Sequence, residues 1–402
     1  MSVQSYDVVI VGAGMVGAAL ACALGDTDLR VAIIEAKPPL STWPKDSTDL
    51  RVSAITQASQ RIFTAVDAWR DMTAQRVSPF RDMHVWDAGG SGAIHFDSAH
   101  IGRDTLGYII ENRVIQHALI NRLQRCDNIT LLCPAEVASL ASHDDHVTVG
   151  LGDGTLLHAT LLVGADGADS RVRKMAGIAV QRRDYEQRAV VATVETALPH
   201  RDTAWQRFLP AGPLAFLPLW DGRSSIVWST TPAHAERLCA LDDGAFNNEL
   251  TQAFDNTLGA ARLYGPRASF VLRRQHVDHY SQGRVVLVGD AAHTVHPLAG
   301  QGVNLGLLDA AALAEVILDA AGAHKDIGAT RVLRRYERWR KGDNQLMMMV
   351  LDGFKHLFGS SLPPIKLARN AGMHLFNHSN LIKNHIMYHA MGLKGDLPRL
   401  AC

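Results

Sequence analysis

A glycine-rich turn near the N-terminus constrains the fold more than any other feature of this chain. The stretch YDVVIVGAGMVGAALACAL holds an apolar run, then Gly12, Gly14 and Gly17 in the spacing GxGxxG, then a run of helix formers. A second apolar run, LRVAIIE, ends at Glu35. Gly12 permits a tight turn, Gly14 lets the backbone approach a pyrophosphate, and Gly17 lets helix and strand pack closely. The pattern predicts a dinucleotide-binding unit with the phosphates at a helix N-terminus and a ribose at Glu35.

Two later stretches repeat the same beginning, a buried strand that ends in a glycine-rich turn. The run LLHATLLVGADGADSRVR at 156–173 leads into a helix whose first turn is capped by Asp169 or Ser170. The run GRVVLVGDAAHTVHPLAGQGVNLG at 283–306 leads into a long helix rich in Ala and Leu. The N-terminal unit alone does not distinguish FAD from NAD, and these two stretches supply the further signal.

Two histidines in the last of these stretches raise the alternative of a metal site. His293 and His296 are three residues apart, which suits a helix, but Pro297 follows directly and disfavours a helix there. A metal site also needs a further ligand aimed at the same point. We therefore expect no metal and interpret both histidines as structural hydrogen-bonding groups.

Charge and cysteine usage exclude several classes of protein. The chain has 402 residues, and 40 Lys and Arg balance 40 Asp and Glu, which is not typical of a nucleic-acid binder. The five cysteines are scattered and form no C-x-x-C pair, so neither a disulfide framework nor a zinc site is expected. The apolar run at 8–24 is interrupted by glycines and lacks a basic flank, which argues against a signal peptide or a membrane span. These features fit a protein of the reducing cytoplasm.

Taken together, the three motifs resemble those of a known family. The GxGxxG turn, the GADG stretch and the GDAAH…P…GQG stretch are similar to the three fingerprints of FAD-dependent aromatic-ring hydroxylases. HPLAGQGVNLGLLD at 296–309 resembles the signature of the ubiquinone-biosynthesis members, which hydroxylate a polyprenylated phenol or quinol. The similarity continues in LRVSAI, LGYIIENRVIQHAL, AFLPL and LRRYERWRK, at 50–55, 106–119, 215–219 and 333–341.

The resemblance implies an α/β, two-domain fold like that of para-hydroxybenzoate hydroxylase. A Rossmann-like FAD-binding domain is expected to be interleaved with an antiparallel-sheet substrate domain and followed by C-terminal helices. The expected parts are the first part of the FAD-binding domain at 1–180, the substrate-binding sheet at 181–280, the second part of the FAD-binding domain at 281–325 and a helical segment at 326–402.

Roles for individual residues also follow from the resemblance. Asp290 is expected on the ribityl chain, Arg51 along the flavin edge or ribityl, and Arg113 on the pyrophosphate or ribityl. The full set of expected FAD-binding residues is Gly12, Gly14, Gly17, Glu35, Arg51, Arg113, Gln116, Asp166, Asp290, Pro297, Gly300, Gln301, Gly302 and Asn304. Asp166 is further expected to serve the nicotinamide donor. From the pattern alone, Arg113 fits equally an exposed arginine at a helix start.

Three residues are expected at the reacting centre. Pro297 is expected to abut the isoalloxazine ring, while Phe216 and Leu217 are expected to face the substrate from the antiparallel sheet. The alternative for any aromatic residue on these strands is the protein core. The C-terminal helices, in turn, form either an interfacial element that collects a lipid-tailed substrate or a cap on the FAD-binding domain.

The implied function is an NAD(P)H- and FAD-dependent monooxygenase of ubiquinone biosynthesis. It would hydroxylate a polyprenylated phenol through a C4a-hydroperoxyflavin, with O₂ as oxidant and NAD(P)H as a transient donor. The stretches at 83–97, 129–136, 325–341 and 390–398 look most like the members that add the first hydroxyl, ortho to the oxygen of 2-polyprenylphenol.

Several alternatives and associations remain open at this level. The alternative functions are hydroxylation of the later methoxy-methyl-benzoquinol, a non-catalytic FAD-binding subunit, and a flavin reductase or oxidase acting on prenylated substrates. Membership of a ubiquinone-biosynthesis complex and peripheral contact with the inner membrane are further expectations for a cytoplasmic protein of this family.

Overall fold

The computed structural model describes residues 4–44, 46–295, 301–359 and 362–402. The strands, in chain order, are β1 Gln4–Val11, β2 Val31–Ile34, β3 Val52–Ile55, β4 Val77–Phe80, β5 Asp82–Asp87, β6 Ala93–Asp97, β7 Gly107–Glu111, β8 Ile129–Leu132, β9 Val137–Ser142, β10 Val147–Leu151, β11 Leu156–Gly164, β12 Val180–Thr196, β13 Thr203–Leu209, β14 Gly212–Pro218, β15 Ser224–Thr230, β16 Ala261–Val277, β17 Ser281–Gln282, β18 Val285–Leu287 and β19 His293–Thr294. The helices are α1 Met15–Ala23, α2 Gln57–Ala65, α3 Trp69–Thr73, α4 Asn112–Leu123, α5 Arg171–Met175, α6 Pro232–Ala240, α7 Asp243–Ala253, α8 Gln301–Gly322, α9 Thr330–Gly359, α10 Pro363–His378 and α11 Asn380–Ala390.

The first sheet is built around a parallel core in the order β18, β11, β1, β2 and β8. The last four residues of β1 and all four residues of β2 are apolar and buried, as expected for parallel strands covered on both faces. Each of the three glycine-rich motifs follows a strand of this core, at the ends of β1, β11 and β18. Because the carboxyl ends of parallel strands share one edge, the sheet brings the three motifs together there.

The second sheet is mostly antiparallel and runs in the order β19, β16, β12, β15, β14, β13, β5 and β6. One face packs on α6 and α7 through a core that includes Phe216, Trp228 and Phe246. The predicted antiparallel sheet is therefore present, and β5 and β6 join it from the preceding part of the chain by parallel pairing of β5 with β13. The division of the chain at residues 180, 280 and 325 stays a prediction.

A small third sheet and the C-terminal helices complete the molecule. The third sheet has the order β3, β7 and β4. Of the C-terminal helices, α10 contacts β6, and α11 contacts the short turn Ser98–Ile101 that follows it. Within the described parts of the chain, we find no helix with the length and apolarity needed to cross a membrane.

Candidate cofactor and substrate site

The first glycine-rich turn has the geometry that its sequence predicts. Gly12 has a φ of +104°, and a Cβ there would lie 2.5 Å from the carbonyl oxygen of Ala165. A Cβ on Gly17 would lie 2.0 Å from the carbonyl oxygen of Gly12, so only glycine allows α1 to approach β1 this closely. A Cβ on Gly14, by contrast, would meet no protein atom within 4 Å.

Gly14 is also the N-cap of α1, and no side chain caps the first turn of that helix. The amide groups of the first turn and the positive end of the helix dipole therefore face a space that a pyrophosphate fits. This cradle supports the assignment of a dinucleotide cofactor to this edge of the sheet.

Glu35 and Gln116 hold the turn from two sides. One carboxylate oxygen of Glu35 accepts a hydrogen bond from the amide of Ala13 at 2.8 Å, and the other accepts one from the amide of Lys37 at 3.0 Å. The side-chain amide of Gln116 donates to the carbonyl oxygen of Ala13 at 2.9 Å. Both residues therefore lie beside the predicted phosphate site, and the ribose contact of Glu35 stays a prediction.

Arg113 is largely buried and paired, unlike the exposed arginine at a helix start that the sequence also allowed. Its Nε donates to Glu111 Oε2 at 2.8 Å and its Nη1 donates to Ser47 Oγ at 2.9 Å. Its guanidinium also lies over the ring of Trp43, 4.9 Å from the centroid. These contacts fix the guanidinium close to the N-terminus of α4.

A residue that the sequence did not single out joins the second and third motifs. Arg173 is almost fully buried, and its guanidinium donates to the carbonyl oxygens of Ala168 at 2.8 Å and Ala291 at 2.7 Å. Asp166 lies on the same turn and accepts hydrogen bonds from the amides of Arg171 and Val172 through Oδ2. Its other oxygen, Oδ1, is buried without a hydrogen-bond partner among the described residues, which suits a group that meets a ligand.

Asp290 lies in the short turn after β18, where protein surrounds its carboxylate while one side stays open to solvent. Desolvation raises the pKa of this carboxyl, and the positive charges of Arg51 and Arg273 oppose that effect. The backbone of the turn is held by Gln275, whose side-chain amide donates to the carbonyl oxygen of Asp290 at 2.7 Å. A carboxylate carried on a turn that is anchored in this way fits the hydroxyl groups of a ribityl chain.

Behind this turn lies a buried polar cluster of His293, Asp309, Arg340 and Asn344. The four residues are at most 1% exposed. Asp309 accepts hydrogen bonds from Arg340 Nε at 2.9 Å and Asn344 Nδ2 at 3.0 Å, and it also pairs with His293 Nε2. His293 thus has the structural role that we expected.

The remaining residues of the third motif are described only in part. His296, Pro297 and Gly300 lie outside the described residues, and Gln301 and Gly302 begin α8. Asn304, one turn further, connects α8 to β3, because its Oδ1 accepts from the amide of Thr56 at 3.0 Å and its Nδ2 donates to the carbonyl oxygen of Ala54 at 2.8 Å. This link places β3 against the N-terminal turn of α8.

No cluster of three or more His, Cys, Asp or Glu residues able to hold a metal ion occurs in the part of the chain that the structure describes.

Two adjoining cavities lie on the open face of the antiparallel sheet. The first, which we call the ring recess, has a volume of about 130 Å³ and is bounded by Val52, Ala54, Phe80, Gln206, Ala215 and Leu217. The second, which we call the tail pocket, has a volume of about 690 Å³ and is bounded by Phe96, Phe208, Leu351, Phe354, Phe358 and Met373. Met83 and Gln206 line both cavities, so the recess and the pocket adjoin each other.

Leu217 and Phe216 lie on opposite faces of β14. Leu217 lines the ring recess, and its contact with a substrate stays a prediction. Phe216 is 1% exposed and stacks on Phe254 of the core under α6 and α7, with ring centroids 3.9 Å apart. The expectation that Phe216 faces the substrate is corrected, because successive side chains of a strand point to opposite faces of the sheet.

Comparisons with known proteins agree with this geometry. The model of a family described as an FAD binding domain matches residues 5–348. The ubiquinone hydroxylase UbiL of Rhodospirillum rubrum is 40% identical over 397 residues, which cover 98% of this chain and 92% of that protein. The 3-demethoxyubiquinol 3-hydroxylase of Escherichia coli is 37% identical over 393 residues, covering 98% of this chain and 100% of that protein.

The fold also matches solved structures. The p-nitrophenol 4-monooxygenase PnpA of Pseudomonas putida superposes with a TM-score of 0.79 at 20% identity, covering 96% of this chain and 98% of that chain. At this level of identity the likeness concerns the fold, and it confirms the predicted two-domain architecture.

Proposed function

Since this chain belongs to the FAD-binding-domain family and, within it, to the FAD-dependent hydroxylases of ubiquinone biosynthesis, we propose that its substrate is a 2-polyprenylphenol. The proposed reaction adds the first hydroxyl group, on the ring carbon ortho to the phenol oxygen. The observation that carries the substrate class is the pair of adjoining, mainly apolar cavities that we call the ring recess and the tail pocket.

The two cavities match the two parts of such a substrate. The ring recess is narrow and adjoins β3, which Asn304 ties to the N-terminal turn of α8 beside the predicted flavin position. The tail pocket is more than five times larger and is lined almost entirely by apolar side chains. An isoprenoid tail gains free energy from such a lining, at about 25 cal/mol per Å² of apolar surface buried.

Within this arrangement the cofactor and the protein have separate tasks. Bound FAD supplies the redox chemistry, with NAD(P)H as the donor typical of this class and O₂ as the oxidant. The residues expected to hold it are those of the three glycine-rich motifs, with Arg51, Arg113 and Gln116 beside them. The side chains of the recess exclude water and orient the ring, and its apolar floor includes Leu217.

The ring position rests on particular stretches of sequence. The stretch 83–97 forms β5 and β6, whose residues Val85, Ile94 and Phe96 line the tail pocket. Ala390 and Met391, at the start of the stretch 390–398, line a neighbouring cavity that shares Phe80 and Met83 with the recess. Of the stretches that resemble the first-position hydroxylases, one therefore borders the tail pocket and a second borders a cavity next to the ring recess. Fixing the tail in this site would present one ring carbon to the flavin. A free-energy difference of about 1.4 kcal/mol between two ring positions is enough for a tenfold preference for one of them.

One observation favours a second candidate, hydroxylation of the later methoxy-methyl-benzoquinol. The E. coli protein named 3-demethoxyubiquinol 3-hydroxylase is matched over its whole length at 37% identity. Both candidates carry the same tail and require the same cofactor, so the cavities described above accommodate either.

Complementation of bacterial strains that each lack one ring hydroxylase separates the two candidates. We expect this chain to restore ubiquinone in the strain that accumulates polyprenylphenol, as measured by mass spectrometry of lipid extracts. Restoration only in the strain blocked at the methoxy-methyl-benzoquinol, with polyprenylphenol still accumulating in the other, would show that the second candidate is correct.

Membrane contact and complex membership stay predictions. The C-terminal helices carry exposed apolar side chains at the tail pocket, including Phe354, Leu357 and Ile386, and residues 353–395 contain no Asp or Glu. An apolar surface with a basic excess fits the interfacial interpretation of these helices better than that of a cap.

A further inference from the structure

Gln206 occupies a central position on the floor of the proposed substrate site. It lies on β13, and the strand register places it beside Ala215 of β14, which in turn lies beside Val227 of β15. These three residues cross the face of the sheet that bounds the ring recess. Gln206 is 8% exposed and, with Met83, lines both the ring recess and the tail pocket.

The side-chain amide of Gln206 has no protein partner to explain its position. Across the described ranges of the chain, no hydrogen bond joins this amide to another residue. Its surroundings in the recess are mostly apolar, with Ser229 as the other polar side chain among them. The amide atoms of Gln206 are not among the fully buried polar atoms without a partner, so they are open to the cavities that the residue lines. A polar group placed in this way on a mostly apolar cavity wall is typical of one that orients a ligand.

We propose that Gln206 is a substrate-binding residue that hydrogen-bonds to the ring oxygen next to the polyprenyl tail. This inference rests on the proposed function, and it holds for both candidate substrates, because each carries an oxygen on the ring carbon adjacent to the tail. The junction of a ring recess and a tail pocket is where that oxygen lies when the ring and the tail each occupy their own cavity.

The chemistry of an amide suits this role. Its Nε2 donates to a phenolate oxygen, and its Oε1 accepts from a neutral phenol, so one residue serves either protonation state. With the tail held in its pocket and one oxygen held at Gln206, rotation of the ring about the bond to the tail is restricted. The same contact therefore selects the ring carbon that faces the flavin.

A binding comparison with two short-tailed probes tests this proposal. The probes are 2-prenylphenol and prenylbenzene, which differ only in the ring hydroxyl, and their dissociation constants are read from the perturbation of the bound-FAD absorbance. We expect the wild-type holoenzyme to prefer the phenol by about tenfold, the value of one hydrogen bond in a buried site. In Gln206→Leu the two constants should agree within about twofold.

Two further variants distinguish Gln206 from its surroundings. Ser229→Ala removes the other polar side chain of the recess, and Gln252→Leu makes the same substitution at an exposed position of α7 on the opposite face of the sheet. Both should keep the preference for the phenol. FAD content and circular dichroism of each variant establish that it is folded and loaded.

The proposal is overturned if Gln206→Leu retains the tenfold preference, if the wild type shows none, or if Ser229→Ala removes it. Because the readout is binding, it does not depend on turnover. A wild-type enzyme that prefers the phenol but forms no hydroxylated product would contradict the proposed function and leave the assignment of Gln206 intact.

Discussion

Replacing Gly14 by alanine is expected to lower the affinity for FAD by at least about tenfold while leaving the apoprotein folded. The backbone at Gly14 has a φ of −67°, which alanine adopts freely, and the added Cβ meets no protein atom within 4 Å. It would, however, enter the space at the N-terminus of α1 that we assign to the pyrophosphate. The measurement is a titration of apoprotein with FAD, followed by quenching of flavin fluorescence.

Two glycines elsewhere provide controls for this experiment. Gly342→Ala, in the middle of α9, also meets no protein atom within 4 Å and should leave FAD affinity unchanged. Gly17→Ala should instead destabilise the turn itself, because the new Cβ would lie 2.0 Å from the carbonyl oxygen of Gly12. Wild-type affinity in Gly14→Ala would mean that the phosphates do not approach the backbone at this point.

Replacing Asp309 by alanine should have the largest effect on stability. The substitution removes the buried carboxylate that accepts from Arg340 Nε, so that Arg340 keeps only the more exposed carboxylate of Asp343, and it also removes the acceptor for Asn344 and His293. Removing one partner of a buried ion pair lowers the free energy of unfolding by about 3–5 kcal/mol. The free energy of unfolding of the apoprotein in urea measures this loss.

Asp319→Ala is the matched control, because Asp319 lies on the same helix. It pairs with Arg335 at 2.8 Å and also with Arg399, but at the surface, where ion pairs contribute about 0–1 kcal/mol. Equal losses in the two variants would show that the buried ion pair contributes no more to stability than a surface pair.

The contribution of Asp309 to the free energy of unfolding also depends on pH. Burial alone would raise the pKa of this carboxyl, but the neighbouring His293 and Arg340, with the hydrogen bond from Asn344, lower the pKa to about 2. Because the folded pKa lies below the unfolded value of about 4, the stabilisation is present above about pH 4 and is lost as the pH falls toward 2. The stabilities of wild type and Asp309→Ala should therefore converge over this range.

The cofactor half of the site was largely predictable from sequence because its requirements are local. Gly12 and Gly17 occur where the backbone geometry excludes every other residue. Their spacing in the sequence therefore predicts the turn. The acid at the end of β2 and the turns after β11 and β18 follow from the order of the strands in a parallel sheet.

The substrate half was less predictable because it depends on contacts between distant parts of the chain. The sequence identified β14 as part of the wall but did not show which face meets the substrate, so Phe216 was assigned with Leu217. The pairing of β5 with β13 joins residues more than a hundred positions apart and brings Met83 to the recess. Gln206 lies in an alternating strand with no motif around it, and its role emerges only from the cavity that it lines.

The sequence also did not identify the buried polar residues. Arg173 lies in the short helix α5 and Asp309 in the largely apolar helix α8, and neither has a sequence signature beyond its charge. Folding brings carbonyl oxygens close to Arg173 and polar side chains close to Asp309. The one available signal was the position of Asp309 between Leu308 and Ala310, within the apolar first half of α8.

The most direct test of the proposed function is turnover of a short-tailed 2-polyprenylphenol by the FAD-loaded enzyme with NAD(P)H under ¹⁸O₂. Mass spectrometry of the product should show a single added oxygen atom that carries the label, at the carbon ortho to the phenol oxygen, with NAD(P)H oxidised in parallel. A product that contains unlabelled oxygen, or NAD(P)H oxidation that yields only hydrogen peroxide with every polyprenylated phenol or quinol supplied, would contradict it.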